Sequence, residues 1–110
     1  MMHEKKIIHR DLKPDNILLA SESSDVDLRI CDFGLAVSIQ NKCFVTGKCG
    51  SPGFVAPEIL RDLPYNTQAD IFSAGAILYS LATGKQLFES ATNIKELLNQ
   101  NYQCDLSHLD

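Results

Sequence analysis

A chain of 110 residues can form one small domain with one hydrophobic core, but not two. Apolar residues make up 45% of the sequence and charged residues 22%, a balance that is typical of a globular domain and excludes wholesale disorder. The net charge is −4, with seven Lys/Arg against seven Asp/Glu in residues 1–55 and three against seven in residues 56–110, so no nucleic-acid surface is expected.

The first half of the chain predicts a β-hairpin. The polar loop His9–Asn16 comes first, and the strand-like runs Ile17–Leu19 and Leu28–Cys31 follow it, joined by the polar turn Ser21–Asp27. The tripeptide Asp32–Gly34 leads out of this hairpin.

The middle of the chain predicts a long loop and then a helix. Residues 38–53 lose periodicity and collect three glycines and a proline, and long ordered loops are usually functional. Thr67 is the predicted N-cap of the helix, with Asp70 as its capping-box partner, and Gly84 is the predicted end. The apolar run Ile71–Ala82 predicts that this helix is buried on most sides.

A further helix is predicted near the last residues. Asn93 and Glu96 form a capping pattern, and Ile94, Leu97 and Leu98 fall on one face. Helices therefore outweigh strands, and the predicted fold class is α+β, mainly helical, with a short β-hairpin.

The cysteines and the hydropathy indicate the cellular setting. The four cysteines form no CxxC pair and match no zinc-binding spacing, and no secretory leader or Asn-x-Ser/Thr acceptor is found. Reduced thiols in a cytoplasmic protein are therefore expected. The longest nearly apolar run, Ile71–Ala82, is too short to cross a bilayer, so no membrane span is expected.

The polar loop and the exit of the hairpin carry groups that suit phosphoryl transfer. Asp11 in HRDLKPDN and Asp32 in DFG are brought near each other by the predicted hairpin. Two carboxylates and the amide of Asn16 suit Mg²⁺, which takes oxygen ligands and keeps phosphate oxygens as partners. Lys13 lies two residues after an acid, so it can hold a phosphate while the acid orients a hydroxyl.

Three motifs in order carry a family resemblance: HRDLKPDN at residues 9–16, DFG at residues 32–34 and APE at residues 56–58. Together they resemble the large (C-terminal) lobe of eukaryotic protein kinases of the serine/threonine type. The resemblance covers residues 1–110 and implies a partial kinase domain that uses ATP and Mg²⁺ and acts on a protein Ser/Thr hydroxyl. The stretch GSPGFVAPEIL, residues 50–60, is similar to the calcium/calmodulin-regulated group.

The resemblance implies a role for each residue that matches a motif. Asp11 resembles the catalytic base that accepts the substrate hydroxyl proton, and Lys13 resembles the lysine that contacts the transferred phosphate. Asn16 and Asp32 resemble the Mg²⁺ ligands, and Lys13, Asn16 and Asp32 together would hold the cofactor.

Other matched residues resemble structural supports. His9 and Phe33 resemble members of a stacked apolar spine, and a packed imidazole is the more plausible role for His9 than acid–base chemistry. Asp70 resembles the acid that anchors the HRD backbone. Glu58 of APE resembles a glutamate that pairs with an arginine in a later helix, and none follows Asp110 in this sequence.

The loop before APE resembles an activation segment. Ser51 and Gly53 lie in its substrate-docking part, where the Ser51 hydroxyl is expected to bond the catalytic acid. Arg10 resembles the arginine that pairs with an activating phosphate, and Thr46 is the candidate phosphosite for an upstream kinase. Thr46 lies one residue earlier than the usual site, which is Gly47 here, so a plain solvated hydroxyl stays an alternative.

Several family parts are missing from the sequence. No glycine-rich loop, Val-Ala-Ile-Lys strand or partner glutamate precedes residue 1, so the isolated chain is expected to be inactive. Two alternatives stay open: a kinase-like binding module without catalysis, and a small-molecule phosphotransferase of related fold. The presence of Asp11, Lys13, Asn16 and Asp32 argues against the first, and the APE motif argues against the second.

Overall fold

The computed structural model describes residues 3–19, 28–39, 45–88 and 94–104. The strands are β1 (Ile7–Ile8), β2 (Ile17–Leu19), β3 (Leu28–Ile30) and β4 (Val37–Ser38), and the helices are α1 (Pro57–Leu60), α2 (Gln68–Thr83) and α3 (Ile94–Gln103). Helical residues outnumber strand residues, in line with the predicted α+β, mainly helical class. Within these ranges, no helix is long and apolar enough to span a membrane.

The predicted β-hairpin is confirmed. β2 and β3 pair antiparallel, with Ile17 opposite Ile30 and Leu19 opposite Leu28. The predicted turn, residues 21–27, lies outside the described residues. One step beyond the paired strands, the N–H of Cys31 donates to the carbonyl oxygen of Asn16 at 2.8 Å. The end of the polar loop therefore lies beside the residue that precedes Asp32.

A second strand pair joins the start of the chain to the region predicted as a loop. β1 and β4 pair antiparallel, with Ile7 opposite Ser38, and the Ile39 N–H donates to the Lys6 carbonyl at 2.7 Å. The sequence analysis missed this pair, because two residues are too few for strand periodicity to appear.

The hydrophobic core connects distant parts of the chain beneath the polar loop. Its buried members come from β1, from the residue after β4, from α1 and the two residues before it, from the loop between α1 and α2, and from the start of α2. Burial of apolar surface is worth about 25 cal/mol per Å², so this cluster is what holds the short elements together. The buried members are Ile8, Ile39, Val55, Ala56, Ile59, Tyr65 and Ala69.

The ends of α2 are only partly as predicted. Thr67 is the N-cap residue, as predicted, but its side chain makes no capping hydrogen bond and does not serve as the capping acceptor. Asn66 takes that role instead, because its Oδ1 accepts a hydrogen bond from the Gln68 N–H at 2.9 Å. The predicted end at Gly84 is confirmed: this residue has φ of 73°, and its N–H donates to the Ser80 carbonyl at 2.9 Å.

The prediction that α2 is buried on most sides is wrong for this chain. One face is buried, but Ile71, Leu78 and Leu81 on the other sides are 57%, 67% and 76% exposed. An apolar sequence shows what a face can bury, whereas the described residues place nothing over this one. The exposed end of α2 borders a cleft of about 460 Å³, lined by Pro14, Ile17, Leu19, Leu28, Ile77 and Leu81.

The predicted C-terminal helix is confirmed as α3. Its predicted cap, Asn93, lies outside the described residues. Of the predicted face, Leu97 is half-buried and Leu98 is 36% exposed. Asn101, one turn after Leu97, is fully buried, which makes the packed face of α3 partly polar.

Candidate active site

The carboxylate of Asp11 lies at the centre of the polar loop. Its Oδ1 accepts a short hydrogen bond, 2.6 Å, from the Ser51 hydroxyl, which is the contact that the sequence predicted. Its Oδ2 has looser neighbours: the Asn16 Nδ2 at 3.5 Å and the Lys13 Nζ at 3.9 Å. Oδ2 is therefore the carboxylate oxygen that can take a new hydrogen-bond donor.

Asn16 fixes the backbone around this carboxylate. It is buried, and its Nδ2 donates to the backbone carbonyl of Asp11 at 2.7 Å. This bond closes the loop between the two residues and assigns the amide nitrogen to the protein side. The amide oxygen, Oδ1, is then the atom of Asn16 that suits a cation.

His9 is a packed residue whose ring has partners at both nitrogens. It is fully buried; Nδ1 accepts the Asp11 N–H at 3.1 Å, and Nε2 lies 2.9 Å from the Cys31 carbonyl oxygen. Because Nδ1 is an acceptor, the ring proton is at Nε2 and is donated to that carbonyl. The Phe33 ring meets His9 edge-on at 4.8 Å between centroids. These two residues therefore join the polar loop to the DFG segment.

Asp70 anchors the backbone of the polar loop from the first turn of α2. It is almost fully buried, and its Oδ2 and Oδ1 accept hydrogen bonds from the N–H groups of His9 at 2.8 Å and Arg10 at 3.0 Å. Arg10 has φ of 72°, a conformation that costs a non-glycine residue about 1 kcal/mol or more. The two charge-assisted bonds offset this cost and hold the loop shape.

Asp32 leaves the hairpin in a strained conformation with its carboxylate exposed. Its φ is 59°, and its Oδ1 accepts only a long hydrogen bond, 3.4 Å, from the Gly34 N–H. Because Asn16 is bonded to the preceding residue, Cys31, the hairpin presents Asn16 and Asp32 at the same end. Within the described residues, no three His, Cys, Asp or Glu side chains cluster as a metal site. One carboxylate and one amide oxygen are nonetheless a hard-oxygen pair that fits Mg²⁺, which completes its shell with phosphate and water.

Residues 50–55 form a tight turn against the polar loop. Gly50 has φ of 105°, and a Cβ there would lie 3.0 Å from the Arg10 carbonyl oxygen and 3.1 Å from the Val55 side chain. A side chain is therefore excluded on both conformational and steric grounds. The N–H groups of Phe54 and Val55 both donate to the Ser51 carbonyl, at 3.1 and 3.2 Å. This turn sets the Ser51 hydroxyl against Asp11.

The amide of Asn101 holds the far side of this turn, and the sequence analysis missed it. Its Oδ1 accepts the Gly53 N–H at 2.8 Å, and its Nδ2 donates to the Val55 carbonyl at 2.8 Å. The available signal was spacing: Asn101 lies four residues after Leu97, on the face that α3 packs inward.

Arg10 and Tyr65 form a second connection that the sequence did not reveal. Arg10 donates from Nε to the Leu35 carbonyl at 2.6 Å and from Nη1 to the Tyr65 hydroxyl at 3.0 Å. The hydroxyl in turn donates to the Gly47 carbonyl at 2.7 Å. Burial raises the pKa of the Tyr65 hydroxyl above its ordinary value, against the opposing effect of the Arg10 guanidinium. Tyr65 follows Pro64 in a loop, where no periodicity marks it as buried.

Thr46 and Glu58 lie at the edges of this arrangement. Thr46 is exposed, whereas a Cβ on the neighbouring Gly47 would lie 3.8 Å from the Arg10 Nη1. The position that faces the guanidinium is therefore the one that lacks a side chain. Glu58 is partly buried in the first turn of α1. Its carboxylate has no hydrogen bond or ion pair within the described ranges.

The geometry brings most of the predicted site residues together. Asp11, Lys13, Asn16 and Ser51 are linked directly, and the hairpin places Asp32 beside Asn16. Such a set can accept a proton at Asp11, place a cation beside it at Lys13, and offer two oxygen ligands to a divalent metal. The three described cysteines, Cys31, Cys49 and Cys104, are free and outside this set.

Comparisons with known proteins agree with the geometry. The family described as "Protein kinase domain" matches residues 1–108. The chain is 44% identical over 99 residues to "Serine/threonine-protein kinase ATG1c" of Arabidopsis thaliana, which covers 90% of this chain and 14% of that protein. It is 42% identical over 106 residues to "Probable serine/threonine-protein kinase 2" of Plasmodium falciparum, covering 96% and 20%.

A calcium/calmodulin-dependent relative is also similar. The chain is 38% identical over 104 residues to the human "Calcium/calmodulin-dependent protein kinase type IV", covering 94% of this chain and 22% of that protein. This match is weakly consistent with the predicted similarity to that group. The chain thus spans 14% to 22% of the lengths of these three relatives.

Proposed function

The chain belongs to the protein kinase family, with serine/threonine-type relatives, and from this membership we propose that it carries catalytic residues of an ATP-dependent protein serine/threonine kinase. The observation that carries the proposal is the Asp11 carboxylate, held by Ser51 at one oxygen and open at the other beside Lys13. We assign residues 1–110 to part of the large lobe of that kinase.

Asp11 is the proposed base. A substrate hydroxyl donates to its Oδ2, the hydroxyl oxygen forms a bond to the γ-phosphorus of ATP, and the bond from that phosphorus to the β–γ bridging oxygen breaks. The proton passes to Asp11 and ADP leaves. Lys13, whose ammonium lies 3.9 Å from Asp11, balances the negative charge of the transferred phosphoryl group.

Asn16 Oδ1 and the Asp32 carboxylate are the proposed Mg²⁺ ligands. When bound, the metal would neutralise phosphate charge and orient the phosphates for in-line transfer. The protein's part is to hold both oxygens at one end of the hairpin. The bond from Cys31 to Asn16 at 2.8 Å does this.

The proposal includes regulation through Thr46. An upstream kinase would add about −1.5 to −2 charge at this exposed residue, next in the chain to Gly47, where a Cβ would lie 3.8 Å from the Arg10 Nη1. Arg10 already donates to Tyr65 and Leu35, so the phosphate would strengthen an arrangement that exists without it. In the full-length protein, Thr46→Ala and phosphatase treatment of wild type should each lower activity several-fold. Full activity of the phosphatase-treated wild type would contradict this mechanism.

The main alternative is a kinase-like binding module without catalysis. It would keep the Asp70 anchor and the core but would have no use for the open oxygen of Asp11. Incubating the full-length protein with ATP, Mg²⁺ and Ser/Thr peptide libraries separates the two proposals. Peptide phosphorylation supports the kinase, and ATP-independent peptide binding without phosphorylation supports the module. Because one relative is calcium/calmodulin-dependent by name, the assay should be repeated with calcium and calmodulin.

A further inference from the structure

The side chain of Asn101 spans two elements that are remote in the sequence. It is fully buried, and its two hydrogen bonds reach Gly53 and Val55, which lie 48 and 46 residues earlier. Both bonds are 2.8 Å long and use both ends of the amide, one as an acceptor and one as a donor. The amide therefore satisfies two backbone groups that no strand or helix pairs at this place.

The bonded groups belong to the turn that carries Ser51. The N–H groups of Phe54 and Val55 close this turn on the Ser51 carbonyl, and the Ser51 hydroxyl reaches Asp11. A continuous path thus runs from α3 through the turn to the proposed base. The Leu97 side chain lies beside the same turn, with its Cδ1 3.7 Å from where a Cβ of Gly53 would be.

Among the described contacts of α3, only the amide of Asn101 has this directional effect. Another polar attachment of α3 is the Arg61 Nε, which donates to the Tyr102 carbonyl at 2.8 Å, and it holds the helix without touching the turn. Without the Asn101 amide, the Gly53 N–H and the Val55 carbonyl would have no hydrogen-bond partner. Because burying unpaired polar groups is unfavourable, the turn would shift so that water could reach them.

We propose that Asn101 is a positioning residue for the protein substrate: its amide fixes residues 51–55, where the substrate chain docks, and thereby aligns the substrate hydroxyl with Asp11. This inference rests on the proposed kinase function. In this proposal, α3 sets the orientation of residues 51–55 through the Asn101 side chain. ATP binding is not expected to depend on it, because the proposed metal ligands, Asn16 and Asp32, lie at the hairpin.

The test compares Asn101→Ala with Asn99→Ala in the full-length protein. Asn99 is exposed on the same helix, so its substitution changes the same residue type without touching the turn. Asn101→Ala should raise the KM for a peptide substrate at least fivefold while the KM for ATP stays within twofold. Asn99→Ala should change neither constant. Equal peptide KM values for the two variants would overturn the proposal, as would an equal rise in both KM values of Asn101→Ala.

A second variant covers the case in which Asn101→Ala does not fold. Asn101→Asp has the same shape and keeps the acceptor for Gly53, but it turns a carboxylate oxygen toward the Val55 carbonyl in place of a donor. Its peptide KM should still rise, and an unchanged peptide KM would reject the positioning role.

Hydrogen exchange separates this inference from the proposed function. If the wild type phosphorylates no peptide, the proposed function fails. Hydrogen exchange at the Gly53 amide still reports whether the Asn101 side chain holds the turn. That amide should exchange at least tenfold faster in Asn101→Ala or Asn101→Asp than in Asn99→Ala. Unchanged protection at Gly53 would show that the amide of Asn101 does not hold the turn, and would end the inference.

Discussion

Asp11 and Asp32 are the residues on which the proposed chemistry depends most directly. Asp11→Asn removes the basic oxygen but keeps an acceptor for Ser51, and Asp32→Asn weakens a ligand that is exposed at the hairpin end. Each change should lower peptide phosphorylation by the full-length protein roughly 10²–10⁴-fold, with an unchanged circular dichroism spectrum. Asp15→Asn, an exposed acid in the same loop, is the control and should keep wild-type turnover. Near-normal turnover of Asp11→Asn would remove the base from the mechanism.

Tyr65 predicts a specific dependence of stability on alkaline pH. Because burial raises the pKa of its hydroxyl, the folded state prefers the protonated form. The stabilisation is complete below the unfolded pKa of about 10 and is lost as pH rises through the higher folded value. The urea midpoint of the chain should therefore fall as the pH rises above about 10, and less steeply in Tyr65→Phe.

Tyr102→Phe is the control for that measurement. Tyr102 is 47% exposed, so Tyr102→Phe removes a tyrosine hydroxyl at the surface and leaves the hydrogen bonds of Tyr65 in place. Parallel slopes for wild type and Tyr65→Phe would mean that the Tyr65 hydroxyl ionises equally in both states, contrary to its burial.

For single residues, the sequence analysis found those that belong to motifs. It missed those whose role depends only on contacts made in the folded chain. The Asp70 anchor and the bond from Ser51 to Asp11 were both predicted, because the family resemblance implies them. Asn101 and Tyr65 were not, because an amide or hydroxyl that bonds a distant backbone carbonyl leaves no periodic trace. Only the spacing from Leu97 pointed toward Asn101.

Two glycines, one inside α2 and one directly after it, should respond in opposite ways to the same substitution. Gly75 lies in the helix interior with nothing within 4 Å of an added Cβ, so Gly75→Ala should stabilise the 110-residue chain by about 0.5–1 kcal/mol. Gly84 ends the helix with φ of 73°, so Gly84→Ala should destabilise it by about 1 kcal/mol. Urea unfolding measures both. A stabilising Gly84→Ala would contradict the left-handed cap.

Whether a segment forms a helix or a strand was easier to predict than which of its faces is buried. The hairpin and both long helices were predicted, because alternation, capping residues and apolar spacing are local signals. The exposure of Leu78 and Leu81 was not, since burial depends on what lies opposite a face. The N-cap position of Thr67 was predicted, but the side chain that accepts the capping hydrogen bond was not: Asn66, one residue earlier, is the acceptor, and propensity does not separate the two residues.

From the arrangement of the whole molecule we expect the 110-residue chain to bind nucleotide weakly. Of the groups assigned to phosphate and metal, Asp32 is exposed. The cleft at the hairpin is lined by apolar side chains such as Leu19 and Leu28, and not by Lys13, Asn16 or Asp32. Without an enclosing wall, base and ribose contribute little binding energy. Titration calorimetry with ATP and Mg²⁺ should therefore give no heat of micromolar binding, and the chain alone should be catalytically silent. Micromolar affinity would contradict this description of the site.

The Asp70 anchor also determines when the polar loop can fold during translation. The N–H groups of His9 and Arg10 are bonded by a carboxylate that lies 61 and 60 residues later. A ribosome that adds about 5–20 residues per second needs on the order of 3–12 s to cover that distance. During this interval the strained turn at Arg10 has no carboxylate to hold it. The polar loop can therefore be anchored only after Asp70, in the first turn of α2, has been synthesised. The polar loop is thus synthesised about 60 residues before the carboxylate that fixes its shape.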